Sequence, residues 1–193
     1  LRSGQVILEG KQLSMGAPID AIRNGIGLLP EERKRQGIVN CLSVKDNITL
    51  IYSQLTAKFG FLKKAGDDAI VRRYIDTLHI KTPSAMQAVG NLSGGNQQKV
   101  VLAREVGEKV DLIIAVYPTR GLDIDATNFV YETMLKAREQ GTAILYISTE
   151  LEEILTLSDR IGVLYEGELV GILPGENAEV EKIGLLMAGE RVK

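Results

Sequence analysis

The sequence predicts an α/β fold built on a mostly parallel sheet, with a helical subdomain and a C-terminal β-hairpin. Two apolar segments, residues 112–117 and 143–148, have the length and composition of buried strands. Each precedes a segment with helical features, and strands that alternate with helices are typical of a parallel sheet. Because these strands are apolar along nearly their whole length, we expect helices to bury both faces of the sheet.

The first 42 residues predict short elements. Residues 5–11 predict one strand that ends in a turn, and residues 17–23 predict a short helix. Residues 27–30 predict a brief buried strand, which its proline ends. Residues 31–39 are rich in charge and predict a loop.

The next segment, residues 43–90, predicts mostly helix. Ser43 offers a hydroxyl cap, and Asp46 places an acid in the first turn that follows. Apolar residues at helical spacing predict a helix over residues 67–79, and Pro83 interrupts the pattern.

The remainder of the chain alternates helices with strands. The predicted elements are helices over residues 96–108 and 126–140, strands over 112–117 and 143–148, and a hairpin over 160–173 around Glu166-Gly167. Thr149 and Glu152 have the spacing of a capping box, which predicts one more helix from that point.

Composition excludes several classes of partner. The chain of 193 residues has a net charge of −2, with acidic and basic residues mixed, so it offers no basic face to nucleic acid and no lysine-rich segment to lipid. No apolar run approaches the roughly 18 residues that span a bilayer. Cys41 is the single cysteine, and we expect it to serve packing. Since the sequence begins with Leu1 and not with Met, we expect a longer parent protein.

Residues 91–98, Asn-Leu-Ser-Gly-Gly-Asn-Gln-Gln, carry the most informative pattern. Ser93 precedes Gly94 and Gly95 at the predicted start of an amphipathic helix. A helix N-terminus presents unpaired N–H groups and a partial positive charge, and glycine lets a phosphate approach the backbone closely. Taken alone, the pattern fits a plain Ser-Gly-Gly turn before a helix equally well.

Four motifs in a fixed order resemble the ABC family of ATP-binding proteins. They are a Q-loop region at residues 29–33, the signature motif at 92–98, the end of a Walker B strand with the D-loop at 118–123, and the switch segment at 147–151. The resemblance implies an incomplete P-loop NTPase core. It also implies three parts: a partial nucleotide-binding core with the Q-loop region at residues 1–42, a helical subdomain at 43–92 and a RecA-like core at 93–193.

A narrower resemblance is to the second nucleotide-binding half of bacterial sugar importers. Pro-Glu-Glu-Arg-Lys at residues 30–34, Asn-Gln-Gln at 96–98 and Pro-Thr-Arg-Gly-Leu-Asp at 118–123 are similar to motifs of that half. Ala-Val-Tyr-Pro at residues 115–118 looks more like the branch that imports nucleosides and simple sugars. Proteins of this kind carry two ABC halves on one chain, so the resemblance implies an N-terminal partner half.

The Walker A motif is absent from the sequence. The single Gly-Lys pair, Gly10-Lys11, is followed by Gln12 and not by Ser or Thr. The resemblance places the motif before the first residues of this chain, in the parent protein.

Three other positions that the family uses for hydrolysis have changed. Val116 and Tyr117 stand where the Walker B Asp and Glu are expected, and Thr149 stands at the switch histidine. Valine offers no oxygen to Mg²⁺, a phenol is a weak base, and threonine carries no charge. Glu31 also replaces the Q-loop glutamine. We therefore expect no hydrolysis of ATP by this chain alone.

The intact signature implies a role in the ATP site of another half. In the family, each ATP lies with Mg²⁺ between the P-loop of one half and the signature of the other. The nucleotide-binding positions carried over from the family are Ser93, Gly94, Gly95, Gln97, Asp123 and Glu31. Asp123, in the D-loop, would cross the interface between halves; its plainer interpretation is an exposed turn aspartate.

The resemblance also implies partners. They are the N-terminal nucleotide-binding half, transmembrane permease subunits and, indirectly, a periplasmic or lipoprotein substrate-binding protein, at the cytoplasmic face of the cell membrane and without nucleic acid. The alternatives to this function are a non-transport ABC-type ATPase, including a translation-associated one, and a module that only dimerises.

Two further residues are not assigned to catalysis. His79 is expected at a helix end or the surface, and Arg120 is expected in a salt bridge or at a phosphate.

Overall fold

The computed structural model describes residues 4–56, 64–107, 110–176 and 178–190. It divides into two compact units, residues 1–145 and residues 146–193. Within the described ranges, no helix is both long enough and apolar enough to cross a membrane.

The first unit begins with a β-hairpin where one strand was predicted. β1 (Val6–Leu8) pairs antiparallel with β2 (Lys11–Leu13). Glu9 and Gly10 between them have φ angles of 50° and 74°, and two left-handed residues in succession reverse the chain. The predicted strand that ends in a turn is therefore confirmed, and the second strand of the hairpin, β2, was not predicted. The predicted helix is confirmed as α1 (Pro18–Arg23).

The central sheet has the order β3-β4-β5, formed by β3 (Ile26–Leu29), β4 (Leu112–Val116) and β5 (Ala143–Ile147). β3 and β4 are parallel, which confirms that part of the expected topology. One face is buried, with Leu29, Ile113 and Ala115 all at 0% exposure.

The opposite side of the sheet is more open than predicted. Leu28 is 48% exposed, and Leu145 is 51% exposed. Apolar strands without complete cover lose part of the stabilisation that burial provides. The expectation that both faces are buried is therefore wrong for the described residues.

The segment after β3 forms a single turn of π-helix at Arg33–Gly37, where a loop was predicted. The helical part follows as α2 (Val44–Thr56) and α3 (Lys64–Thr77). The Ser43 hydroxyl accepts a hydrogen bond from the N–H of Asp46 at 3.0 Å, as a cap should.

Two helices of the core begin two residues earlier than predicted. α4 (Gly94–Glu105) starts after Ser93, and α5 (Ile124–Glu139) starts after Asp123. The side chains of Ser93 and Asp123 each accept the N–H three residues ahead, so each acts as the N-cap. Glu108, the predicted end of the first helix, lies outside the described residues.

The second unit contains α6 (Leu151–Leu157), β6 (Arg160–Tyr165), β7 (Glu168–Pro174) and α7 (Val180–Met187). The predicted hairpin is confirmed, since β6 and β7 pair antiparallel around Glu166-Gly167. The predicted capping box is wrong, because the N-cap is Glu150 and has no side-chain bond. The sequence analysis did not predict α7, whose Ile183 and Leu186 join the core of this unit.

Asn47 joins the segment after β3 to the helical part. Its side chain is fully buried. Its Oδ1 accepts from the N–H of Val39 at 2.8 Å, and its Nδ2 donates to the carbonyls of Val39 and Ser43 at 3.1 and 3.0 Å. One buried amide therefore satisfies backbone groups of two segments.

We expect Asn47→Ala to lower the free energy of unfolding by about 1–3 kcal/mol, because it leaves the Val39 N–H without a partner. Urea denaturation followed by circular dichroism measures the change. Asn128→Ala is the matched control, since Asn128 is exposed on α5 and should tolerate alanine. Equal stabilities of the two variants would contradict the role given to Asn47.

Candidate functional site

The signature turn, defined as residues 93–96, forms the N-terminus of α4. The Ser93 hydroxyl accepts from the backbone N–H of Asn96 at 3.5 Å and from its Nδ2 at 2.9 Å. The N–H groups of Gly94 and Gly95 have no acceptor among the described residues. Two free N–H groups at the positive end of a helix can receive an anion such as a phosphate.

Both glycines of the turn are also packed closely from within the chain. A Cβ added to Gly94 would lie 2.7 Å from Nη2 of Arg33, and one added to Gly95 would lie 3.0 Å from the Cβ of Ala126. Packing alone therefore favours glycine at both positions. Internal packing and close approach of a phosphate are compatible explanations for these glycines, because a residue without a side chain leaves space for both contacts.

Gln97 faces the interior and shapes the segment before the turn. It is 2% exposed, and its Nε2 donates to the carbonyl of Leu92 at 3.1 Å, with longer contacts of 3.4 Å to the carbonyls of Val89 and Gly90. The structure thus places this predicted nucleotide-binding side chain against its own backbone and away from the surface.

Gln98 joins α4 to the D-loop, defined as residues 118–123. Its side chain is 3% exposed, and its Nε2 donates to the carbonyl of Pro118 at 2.8 Å. The D-loop ends at Asp123, whose carboxylate accepts from the N–H of Ala126 at 2.8 Å. Asp123 is exposed and caps α5, so it has a local structural task besides any contact with a partner.

Two charged side chains of the Q-loop region reach the D-loop. Glu31 forms an ion pair with Arg120, which is the salt bridge considered for that arginine. Arg33 donates from Nη1 to the carbonyl of Arg120 at 2.8 Å and from Nη2 to the carbonyl of Gly121 at 3.4 Å. Burial lowers the pKa of the Arg33 guanidinium from its ordinary value.

The two residues predicted at the Walker B positions offer no carboxylate. Val116 ends β4, and Tyr117 follows it in a left-handed conformation with a φ of 45°. Across the described residues, no group of three His, Cys, Asp or Glu side chains is placed to hold a metal ion. The isopropyl group of Val116 and the phenol of Tyr117 do not fit Mg²⁺, which prefers oxygen ligands such as carboxylates.

Thr149 lies in the second unit, exposed in the short connection between β5 and α6. The other predicted site residues, Ser93, Gly94, Gly95, Gln97, Asp123, Glu31, Val116 and Tyr117, all belong to the first unit. Within that unit, the structure brings the signature turn, the Q-loop region and the D-loop together through Arg33.

Sequence analysis missed the contacts of Arg33 and Gln98. Both residues were part of a quoted motif but were given no role of their own. Their contacts span 88 and 20 positions of sequence, and such distant contacts leave no local signal.

Two minor expectations had different outcomes. Cys41 is exposed, so its assignment to packing is wrong. His79 is exposed just after α3, which confirms its expected place.

Comparison with known proteins places these features in a family. Residues 1–120 match the family described as ABC transporter. The chain is 44% identical over 186 residues to the arabinose import ATP-binding protein AraG of Pectobacterium atrosepticum, covering 95% of this chain and 36% of that protein. It is 41% identical over 189 residues to the ribose import ATP-binding protein RbsA of Lactococcus lactis, covering 98% of this chain and 38% of that protein.

A solved structure supports the same fold. The dimeric post-hydrolysis state of the ATP-binding cassette MJ0796, bound to ADP and Pi, matches with a TM-score of 0.72 at 18% identity, covering 89% of this chain and 73% of that one. The predicted α/β, P-loop NTPase fold of the ABC type is confirmed. The chain spans just over a third of the curated relatives' length, 36% and 38% in the two cases. It belongs to the ABC transporter family of ATP-binding proteins.

We expect Gln98→Met to lower the free energy of unfolding by about 1–3 kcal/mol, since it leaves the buried Pro118 carbonyl without its donor. Thermal and urea denaturation measure the change. Gln140→Met is the control, because Gln140 is exposed at the end of α5 and its side chain has no such task. If both variants unfold alike, the link between α4 and the D-loop contributes nothing to stability.

Proposed function

We propose that this member of the ABC transporter family is part of the ATP-binding subunit of an importer for sugars or nucleosides. In this role its signature turn completes an ATP site held by the N-terminal half of the parent protein, and its own site is degenerate. The observation that carries the proposal is the contrast within one unit. The Gly94 and Gly95 N–H groups remain free at the start of α4, whereas Val116 and Tyr117 offer no carboxylate.

The turn would act by placing charge-stabilising groups, without an acid or a base. The Ser93 oxygen accepts from Asn96, which leaves the hydroxyl proton available for donation to a phosphate oxygen. The two glycine N–H groups add donors at the positive end of α4. Donors fixed in advance around a transferring phosphoryl group lower the barrier without reorganisation.

The other residues predicted to bind nucleotide have structural roles around the signature turn in this proposal. Gln97 holds the backbone ahead of the turn and does not contact the nucleotide, since its amide donates to the chain itself. Asp123 starts α5 and borders the interface with the other half. Glu31 anchors the Q-loop region to the D-loop through Arg120.

ATP and Mg²⁺ would be held by the N-terminal half. The Walker A motif of this half would precede the present chain in the parent protein, in the order typical of the family. The share of the relatives' length that the chain spans, 36% in one case, supports a longer parent protein. The division into residues 1–42, 43–92 and 93–193 stays a prediction of the same proposal.

The relatives' names support import of a sugar as the transport task. One is an arabinose import protein and another is a ribose import protein, which favours sugars over nucleosides as the cargo. The complete protein would lie at the cytoplasmic face of the membrane against permease subunits. A periplasmic or lipoprotein substrate-binding protein would deliver the cargo to the permease.

Ser93→Arg in the full-length protein should lower the ATPase rate by about a hundredfold or more, because it removes the hydroxyl and fills the space for the phosphate. Steady-state release of phosphate measures the rate. Ser84→Arg is the control at an exposed serine in the loop before the signature. A Ser93→Arg protein with unchanged turnover would refute the proposed role in trans.

The isolated chain should release no phosphate from ATP above the buffer background, with or without Mg²⁺. Val116, Tyr117 and Thr149 supply no carboxylate or imidazole at the positions the family uses. The same assay with the full-length protein is the positive control. Turnover by the isolated chain that scales with its concentration would contradict the degenerate site.

A further inference from the structure

Arg33 is a partly buried cation whose described contacts include no carboxylate. The neighbouring acids are engaged elsewhere, Glu31 with Arg120 and Glu32 with Arg35 at 3.6 Å. The Arg33 guanidinium instead donates to two backbone carbonyls of the D-loop. Its Nε is buried without a hydrogen-bond partner in the described part of the chain. Partial burial of a charge without a counterion is unfavourable, and the two backbone carbonyls are the described acceptors that offset this cost.

Three segments meet at this guanidinium. The side chain starts from the π-helical turn after β3, spans the carbonyls of Arg120 and Gly121, and lies against Gly94 of the signature turn. The planar fork of arginine can bridge two carbonyls in a fixed orientation, which a single ammonium group cannot do. The position of Gly94 is therefore tied to the D-loop through one side chain.

The other side of the turn is held by α5. Gly95 packs against Ala126, which lies in the first turn of the helix that Asp123 caps. Arg33 and Ala126 thus hold the signature turn on two sides, and both contacts depend on where the D-loop lies. A displacement of the D-loop would change the direction in which the free N–H groups point.

We infer that Arg33 is a positioning residue, which holds the signature turn at the place where its free N–H groups meet the terminal phosphate of the opposite site. The inference rests on the proposed role of the turn in trans. Arg33 acts through Gly94 and the D-loop carbonyls and does not itself have to touch the nucleotide. Its loss should leave binding of ATP to the partner half intact and slow the hydrolytic step.

The test uses the full-length protein with Arg33→Met and Arg33→Lys. Arg33→Met should lower kcat by between about tenfold and a hundredfold, the size expected when reacting groups are misplaced by about 1 Å. Equilibrium titration with a fluorescent ATP analogue should give the same affinity as the wild type. The kcat of Arg33→Lys should lie between those of the wild type and Arg33→Met, because an ammonium can donate to carbonyls but lacks the planar fork that fixes the orientation of both contacts.

Arg35→Met is the matched control. Arg35 belongs to the same π-helical turn, and its described contact is an exposed ion pair with Glu32. Its kcat should equal that of the wild type. Thermal unfolding of every variant shows whether a lower kcat reflects lost positioning or a lower folded fraction. If kcat falls only in proportion to the folded fraction, the inference is overturned. If Arg33→Met does not fold, Arg33→Lys is compared with the wild type instead.

A double-mutant cycle with Ser93→Ala provides the second measurement. If Arg33 acts through the signature turn, the loss caused by Arg33→Met should be smaller in the Ser93→Ala background, so the effects are not additive. Additive effects overturn the inference. A Ser93→Arg protein that remains active would remove the proposed function, whereas an inactive Ser93→Arg beside a fully active Arg33→Met would remove only the role of Arg33.

Discussion

The unpaired N–H groups at the start of α4 are the constraint on which the rest of the first unit depends. An anion can approach them closely because glycine carries no side chain, and because neither N–H has an acceptor among the described residues. Without side chains, Gly94 and Gly95 contribute few contacts that would hold the turn in place. Arg33 and Ala126 then hold the turn from two sides, and Gln97 fixes the backbone that precedes it.

Much of the fold could be predicted because its signals are local. Apolar runs predicted β4 and β5, and Glu166-Gly167 predicted the hairpin of β6 and β7. The starts of α4 and α5 were each predicted two residues late, since the caps at Ser93 and Asp123 were not used to set the boundaries. The turn at Glu9-Gly10 was predicted, but the strand after it was not, because three residues with the exposed Lys11 and Gln12 carry little strand signal.

In the candidate site, too, features with a local sequence pattern were predicted and contacts between distant residues were not. The signature turn and the predicted change at the Walker B positions follow from residue types at fixed spacing, which a sequence displays directly. The contacts that tie the turn to the D-loop join residues far apart, such as Arg33 and Gly121, and depend on how β3 and β4 pair. The open side of the sheet was missed for a related reason, since an apolar strand such as β5 predicts burial without showing what covers it.

The charge of Arg33 helps to decide whether the signature turn serves folding alone or also binds an anion. Glycine at positions 94 and 95 is already favoured by packing, and Ser93 already serves as the N-cap, so an intact signature would persist in a module that only folds. An apolar side chain of similar length could fill the space beneath Gly94 without desolvating a cation, although it would leave the carbonyls of Arg120 and Gly121 without this donor. A guanidinium at that place adds positive charge to the positive end of α4, which opposes the helix dipole unless an anion arrives. In the proposed role in trans, a terminal phosphate from the opposite site would relieve this electrostatic cost.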